Sequence, residues 1–374
     1  MKHTALALLS AAVFAAGCSA SNGGGAGSAP GVVAKGARVL GMDTNDPSPD
    51  FSFVQSYSAA QGIGVGAGTT HLNWNGDEGA GSGATSGAFT DTVGQLASVN
   101  AYYRAVGSKV SVTVAPIDTP GFELPIDLVG LPMDNANVIA RFNAFIDWVL
   151  AGVSNASLVS LQIGNEIDAP APASTSLYWS QYKTFLTAVV GHLHSVKPGL
   201  KIGVTVSLYG LIGQGSGGFT AQTGILNLLP VIDVLGVTYY PLFSNFQTKD
   251  PSVVPGDFAQ VFSLVGTKPV YVQEIGYPTS SSDGSSNALQ TAFVAQVFAT
   301  WDLYALKIPF LALLRMNDLS LAGATSLAAN YGLSGNPAFV AYLQSLGYRT
   351  FNAPTASKPA WAEVMNQTRV RGWW

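Results

Sequence analysis

The chain has 374 residues, of which 48% are apolar and 10% charged, with a formal net charge of −4 and one cysteine. That apolar fraction can bury a large core, while 17 Lys and Arg without a basic run lack the electrostatic footprint of a nucleic-acid binder. A single cysteine excludes an internal disulfide and any Cys-based metal cluster.

Residues 1–17 read as a leader. Lys2 precedes an apolar stretch from Ala5 to Ala16, too short to cross a bilayer and suited to a signal-peptide core. The stretch ends in Ala15-Ala16-Gly17-Cys18, which resembles a bacterial lipobox, with Ala15 where Leu is usual. The resemblance implies lipidation of Cys18 as the first residue of the mature chain; the alternative is a secretory peptide with an incidental cysteine. Removal of residues 1–17 takes away Lys2 and leaves 357 residues with a net charge of −5. Residues 18–35 are rich in Gly, Ala and Ser and read as a flexible tether, and residues 36–374 as the folded domain. No apolar run beyond residue 35 is long enough for a membrane helix. The expected location is the bacterial cell envelope, periplasmic or at the surface, with the lipid as the membrane contact.

From Gly36 onward strand signals alternate with helix signals, as in a parallel sheet covered by helices. The strand runs are Ala37–Asp43, Gly64–Asn73, Val110–Asp118, Leu158–Asn165, Lys201–Leu208, Val231–Tyr240, Pro269–Glu274 and Ile308–Met316. Many are near-continuous apolar runs, expected where both faces are covered. Between them, Tyr178, Tyr182, Phe185, Leu186, Val189, Val190 and Leu193 recur at steps of three and four and predict a helix from Leu177 to Val196. Ser174 or Thr175 can cap it, and Pro198-Gly199 stops it. A second helix is predicted from about Ser286 to Leu306. Eight strands in a domain of this size predict a (β/α)8 TIM barrel, α/β in class, whose functional residues sit at the C-terminal strand ends.

Two of those ends carry a glutamate: Glu166 after Leu158–Asn165, and Glu274 within Pro269–Pro278. A carboxylate at the end of a buried strand is costly unless it has a role there. Glycoside hydrolysis needs such a pair, one to protonate the leaving oxygen and one to attack the anomeric carbon or activate water.

Gly164-Asn165-Glu166 on strand 4, with a strand-7 glutamate, resembles the retaining glycoside hydrolases of clan A. Asp233–Pro241 on strand 6 looks like that of the arabinogalactan endo-β-galactanase family. Glu274-Ile275-Gly276-Tyr277-Pro278 is similar to the strand-7 segment of the β-1,3-glucanase and glucan transglycosylase family. At the end of strand 8, Leu313-Leu314-Arg315-Met316 stands where many clan members place a Trp as a sugar platform.

The resemblance implies that Glu274 is the nucleophile, Glu166 the acid/base, and Asn165 a donor to the sugar 2-hydroxyl. It also implies a strand-6 tyrosine that holds Glu274. Tyr239 and Tyr240 both qualify, because only one of two neighbouring strand residues points inward. His71, Asn73 and Trp74 close strand 2 and are candidates for lining the sugar site, with Tyr277, Trp179, Tyr209, Phe243 and Trp301 as stacking aromatics; helix residues such as Trp301 are more often core. His192 and His194, two apart on a helix, face different directions, and no metal site is expected. Gly213–Gly218 is followed by no Lys-Ser/Thr, and no nucleotide cofactor is expected. The expected partner is a β-linked polysaccharide or oligosaccharide. A glucan transglycosylase, a non-catalytic sugar-binding lipoprotein and a structural envelope protein remain open.

Overall fold

The computed structural model describes residues 31–44, 48–351 and 356–374; the leader and Cys18 lie outside them. Eight parallel strands close into a barrel: β1 Val39–Met42, β2 Ala67–Asn73, β3 Lys109–Ala115, β4 Ser157–Ile163, β5 Ile202–Ser207, β6 Val234–Tyr239, β7 Val270–Ile275 and β8 Phe310–Leu313. The ring order is β1-β8-β7-β6-β5-β4-β3-β2. The eight expected runs each coincide with one strand, and the TIM-barrel expectation holds.

Outward residues of each strand meet the helices and form the main core. On β6 these are Leu235, Val237 and Tyr239. Inward residues fill the barrel in layers. Val39, Ala67, Val159, Val234, Tyr271, Phe310 and Ala312 pack at the N-terminal end. Above them lies a polar layer in which Ser111 Oγ donates to Gln273 Oε1 at 2.8 Å and Gln162 Nε2 to Ser160 Oγ at 3.0 Å. These bonds satisfy part of the buried layer, and Gln162 Oε1 and Thr205 Oγ1 are buried in it without a hydrogen-bond partner.

The predicted helices form, over Ser176–Val196 and Asn287–Leu303. Thr175 caps the first, accepting from the Tyr178 N–H, and Ser286 caps the second, accepting from the Leu289 N–H. After β8 the chain adds two helices, Leu321–Asn330 and Pro337–Gln344, whose apolar faces form a separate cluster with Tyr240, Leu242, Phe246 and Leu314. This cluster overhangs the C-terminal barrel mouth. Among the described residues no helix is long and apolar enough to cross a membrane.

Candidate active site

Two local features present the glutamates. Gly164, after β4, has φ 90°, and an added Cβ would lie 2.6 Å from the Ile167 methyl, so only glycine fits there. The chain then turns, and Glu166 itself takes φ 42°, uncommon for a residue with a side chain. Its carboxylate is clamped: Thr238 Oγ1 donates to Oε1 at 2.5 Å and Thr119 Oγ1 to Oε2 at 2.8 Å.

β7 contains an irregularity. Val237 of β6 lies opposite Val272 but Thr238 opposite Glu274, so β7 carries one residue more than its neighbour. Strict alternation from inward Tyr271 would point Gln273 inward and Glu274 outward. The extra residue re-aims the chain, and Gln273 and Glu274 both line the mouth. Tyr240 Oη donates to Glu274 Oε2 at 2.6 Å.

Glu274 opens onto a cup of about 100 Å³ lined by Asp43, Thr70, His71, Asn165 and Leu314 among others. Beside it runs a larger cleft of about 540 Å³, lined by Asn73, Asp118, Phe122, Glu123, Asn330 and Tyr331 among others. His71 bridges the two, its Nε2 lying 2.7 Å from Asn73 Oδ1 and 3.5 Å from Asp118 Oδ2. Asn165 Nδ2 donates to Asp118 Oδ1 at 2.9 Å.

Burial pushes the Glu274 carboxyl up to about 7; the negative charge of Glu166 adds to this, and the Tyr240 phenol opposes it. Burial also raises Glu166, against the two threonine hydroxyls, with Asp118 adding repulsion. Two carboxyl groups in one poorly solvated mouth resist ionising together. Asp168, two residues on, is pushed up to about 7 by burial, and it accepts from the Ser207 hydroxyl and N–H, which fastens the Glu166 turn to the end of β5.

Of the expected site residues, the mouth brings together Glu166, Glu274, Asn165, His71, Asn73 and Tyr240. Seven do not reach it. Tyr239 points out of the barrel and donates to Asp257 at 2.7 Å, 1% exposed among core aromatics. Strand alternation decides this: inward Val234 and Thr238 share parity with Tyr240. Trp74 turns into the helix layer, where its Nε1 donates to Glu78 at 2.5 Å and its ring packs edge-on against Phe142. Tyr277 packs against Phe293 and donates to the Lys249 carbonyl at 2.7 Å. Trp179 and Trp301 are core, Tyr209 donates to Asp257, and Phe243 is exposed beside Lys249.

The sequence reading missed Asp43, Asp118, Thr119, Glu123, Thr238, Tyr331 and Tyr342. Thr238 was findable, two residues before Tyr240 on one strand face. Tyr331 and Tyr342 carried no signal, since they belong to an added helical pair whose place over the mouth is a tertiary fact. Tyr342 packs edge-on against Tyr240, with ring centroids 5.8 Å apart.

A closed eight-stranded parallel barrel with its acidic residues at the C-terminal strand ends is the arrangement of TIM-barrel enzymes. Solved structures of similar fold include the exo-β-1,4-mannosidase Op5Man5 from Opitutaceae bacterium strain TAV5, at 16% identity and TM-score 0.62, covering 89% of this chain and 59% of that one. Others are a β-glucosidase from Thermotoga maritima, at 11% identity and TM-score 0.56, covering 84% and 86%, and an active-site mutant of the Rhizomucor miehei β-1,3-glucanosyltransferase with laminaritriose, at 12% identity and TM-score 0.50, covering 86% and 96%. The chain thus spans 59% of the length of the mannosidase. At such identities the likeness is one of fold. No family model and no curated protein matches the sequence.

Proposed function

We propose that the protein is a retaining glycosidase acting on a β-linked polysaccharide or oligosaccharide, with Glu274 as nucleophile and Glu166 as acid/base. The observation that carries this reading is the paired carboxyl groups after β4 and on β7 at one barrel mouth, each clamped by hydroxyl donors, with the charge of Glu166 strengthening the hold of Glu274 on a proton. The glycosidases and the glucanosyltransferase of similar fold support it.

In the first step a Glu274 oxygen bonds to the anomeric carbon as the glycosidic C–O bond breaks, and the Glu166 proton passes to the leaving oxygen. Esterified Glu274 no longer carries charge, so Glu166 releases a proton more easily and stays ionised. It then takes a proton from water; the water oxygen bonds to the anomeric carbon and the ester bond breaks. A sugar hydroxyl in place of water would give transglycosylation. Asn165, 9% exposed on the wall of the cup, is placed to meet a sugar hydroxyl.

Cys18 as a lipidated first residue would put the barrel in the bacterial envelope, on the Gly-, Ala- and Ser-rich tether that follows it. The test of the catalytic reading is release of reducing ends, by the intact protein and by Glu274→Gln, from β-glucans, galactans, mannans and xylans. Activity on one class that falls by several orders of magnitude in the folded variant is expected. An inactive parent protein would favour the sugar-binding lipoprotein, and an active Glu274→Gln would remove the assignment.

A further inference from the structure

The end of β8 offers Leu314 to the cup and no aromatic residue. An aromatic wall nevertheless exists, and it comes from the helical pair after β8. Tyr331 closes the helix Leu321–Asn330 and lines the 540 Å³ cleft opposite Asp118, Phe122 and Glu123. Its ring is buttressed edge-on by Phe339, centroids 5.5 Å apart, and Phe339 stacks on Tyr342. A ring held by its neighbours is a platform with little conformational entropy left to lose.

We propose that this cleft is a second sugar subsite beside the cup, with Tyr331 as its stacking platform, and that it selects neutral over anionic sugars. The proposal rests on the glycosidase reading. The volume falls in the roughly 300–1,000 Å³ range of small-ligand clefts. Asn73 and Asn330 offer amide donors and acceptors, while Asp118 and Glu123 accept from hydroxyls. The phenol of Tyr331 is pushed up by burial and by the charges of Glu166, Asp118 and Glu274, so it stays protonated, and it is hydrogen-bonded with Thr119. Asp43, Asp118 and Glu123 line the two cavities and Glu166 acts on Glu274 beside them, an excess of carboxyl groups that makes the mouth acidic. A uronate or sulfated sugar would meet repulsion there that a neutral sugar does not.

The test is calorimetric titration of Glu274→Gln protein with mono-, di- and tetrasaccharides of the β-gluco, galacto, manno and xylo series, plus an oligouronide. The same titrations are made on Glu274→Gln/Tyr331→Ala and Glu274→Gln/Tyr331→Phe. Expected is binding that strengthens from mono- to oligosaccharide, an oligosaccharide affinity weakened about tenfold by Tyr331→Ala and largely kept by Tyr331→Phe, and no oligouronide binding. Circular dichroism checks that the alanine variant folds; if it does not, Asn330→Ala, on the exposed rim, is expected to weaken the oligosaccharide severalfold. Oligosaccharide affinity indifferent to these changes, absent in every series, or matched by the oligouronide overturns the proposal. Activity of the intact protein on aryl glycosides separates the two failures: activity without an effect of Tyr331 removes the subsite alone, and Tyr331-dependent binding without activity removes the glycosidase reading alone.

Discussion

Tyr240→Phe isolates the clamp on the proposed nucleophile. The phenol donates to Glu274 at 2.6 Å, and phenylalanine keeps the ring that packs against Tyr342 while deleting one donor. A hydrogen bond to a charged group contributes about 1.5–3 kcal/mol. Because it stabilises the ionised form, its loss raises the Glu274 carboxyl further above its value of about 7. At about 1.4 kcal/mol per pH unit, the acidic limb of kcat/KM should move up by about one to two pH units. At neutral pH the rate should fall by roughly five- to fiftyfold, and that loss should return as the pH is raised and Glu274 ionises. The assay is a pH profile of both proteins on an aryl glycoside, with thermal unfolding to check the fold. Tyr239→Phe is the control, because its phenol bonds Asp257 outside the barrel, and its profile should keep the parental shape. An unmoved acidic limb in Tyr240→Phe, or equal profiles for the two variants, would refute the reasoning.

Glu166→Ala should slow substrates with poor leaving groups far more than activated aryl glycosides, and azide should rescue it as a glycosyl azide of retained configuration; equal slowing without azide product would remove Glu166 from the acid/base role. Glu274 holds its proton more tightly folded than unfolded, so the folded state binds more protons between about pH 4.5 and 7 and stability falls as pH rises through that window. Glu274→Gln should therefore unfold at higher denaturant than the parent at pH 8, by about 2 kcal/mol after allowing for partial exposure, with the gain vanishing near pH 4. Trp74→Phe leaves the buried Glu78 one donor short and should cost about 1–3 kcal/mol in chemical denaturation while sparing kcat; a selective loss of kcat would return Trp74 to the site. Labelled fatty acid should enter the protein expressed in a bacterial host and not its Cys18→Ser variant; equal labelling would refute lipidation.

The barrel was legible in the chain because its signals are local: eight apolar runs, the stripe on Ser176–Val196 and the caps Thr175 and Ser286 each follow from neighbours in sequence. Glu166 and Glu274 were legible for the same reason, as charges where an apolar run ends. The choice of Tyr240 over Tyr239 was in principle there too, in the parity shared with Val234 and Thr238. What only the tertiary structure decided lies where the pattern of period two breaks or where distant segments meet. The extra residue in β7 turns Glu274 inward against simple alternation, and register between strands is set by pairing that no single strand encodes. Trp74, read as a rim residue, turned outward because Glu78 and Phe142 offered its indole both a hydrogen bond and a packed face. Tyr331 and Asp118 are 213 positions apart and share one cleft, since closure of the ring brings the segment after β8 round, past β1, to the ends of β2 and β3. Local hydrophobic periodicity selects elements; only closure of the barrel selects which side chains face each other across its mouth.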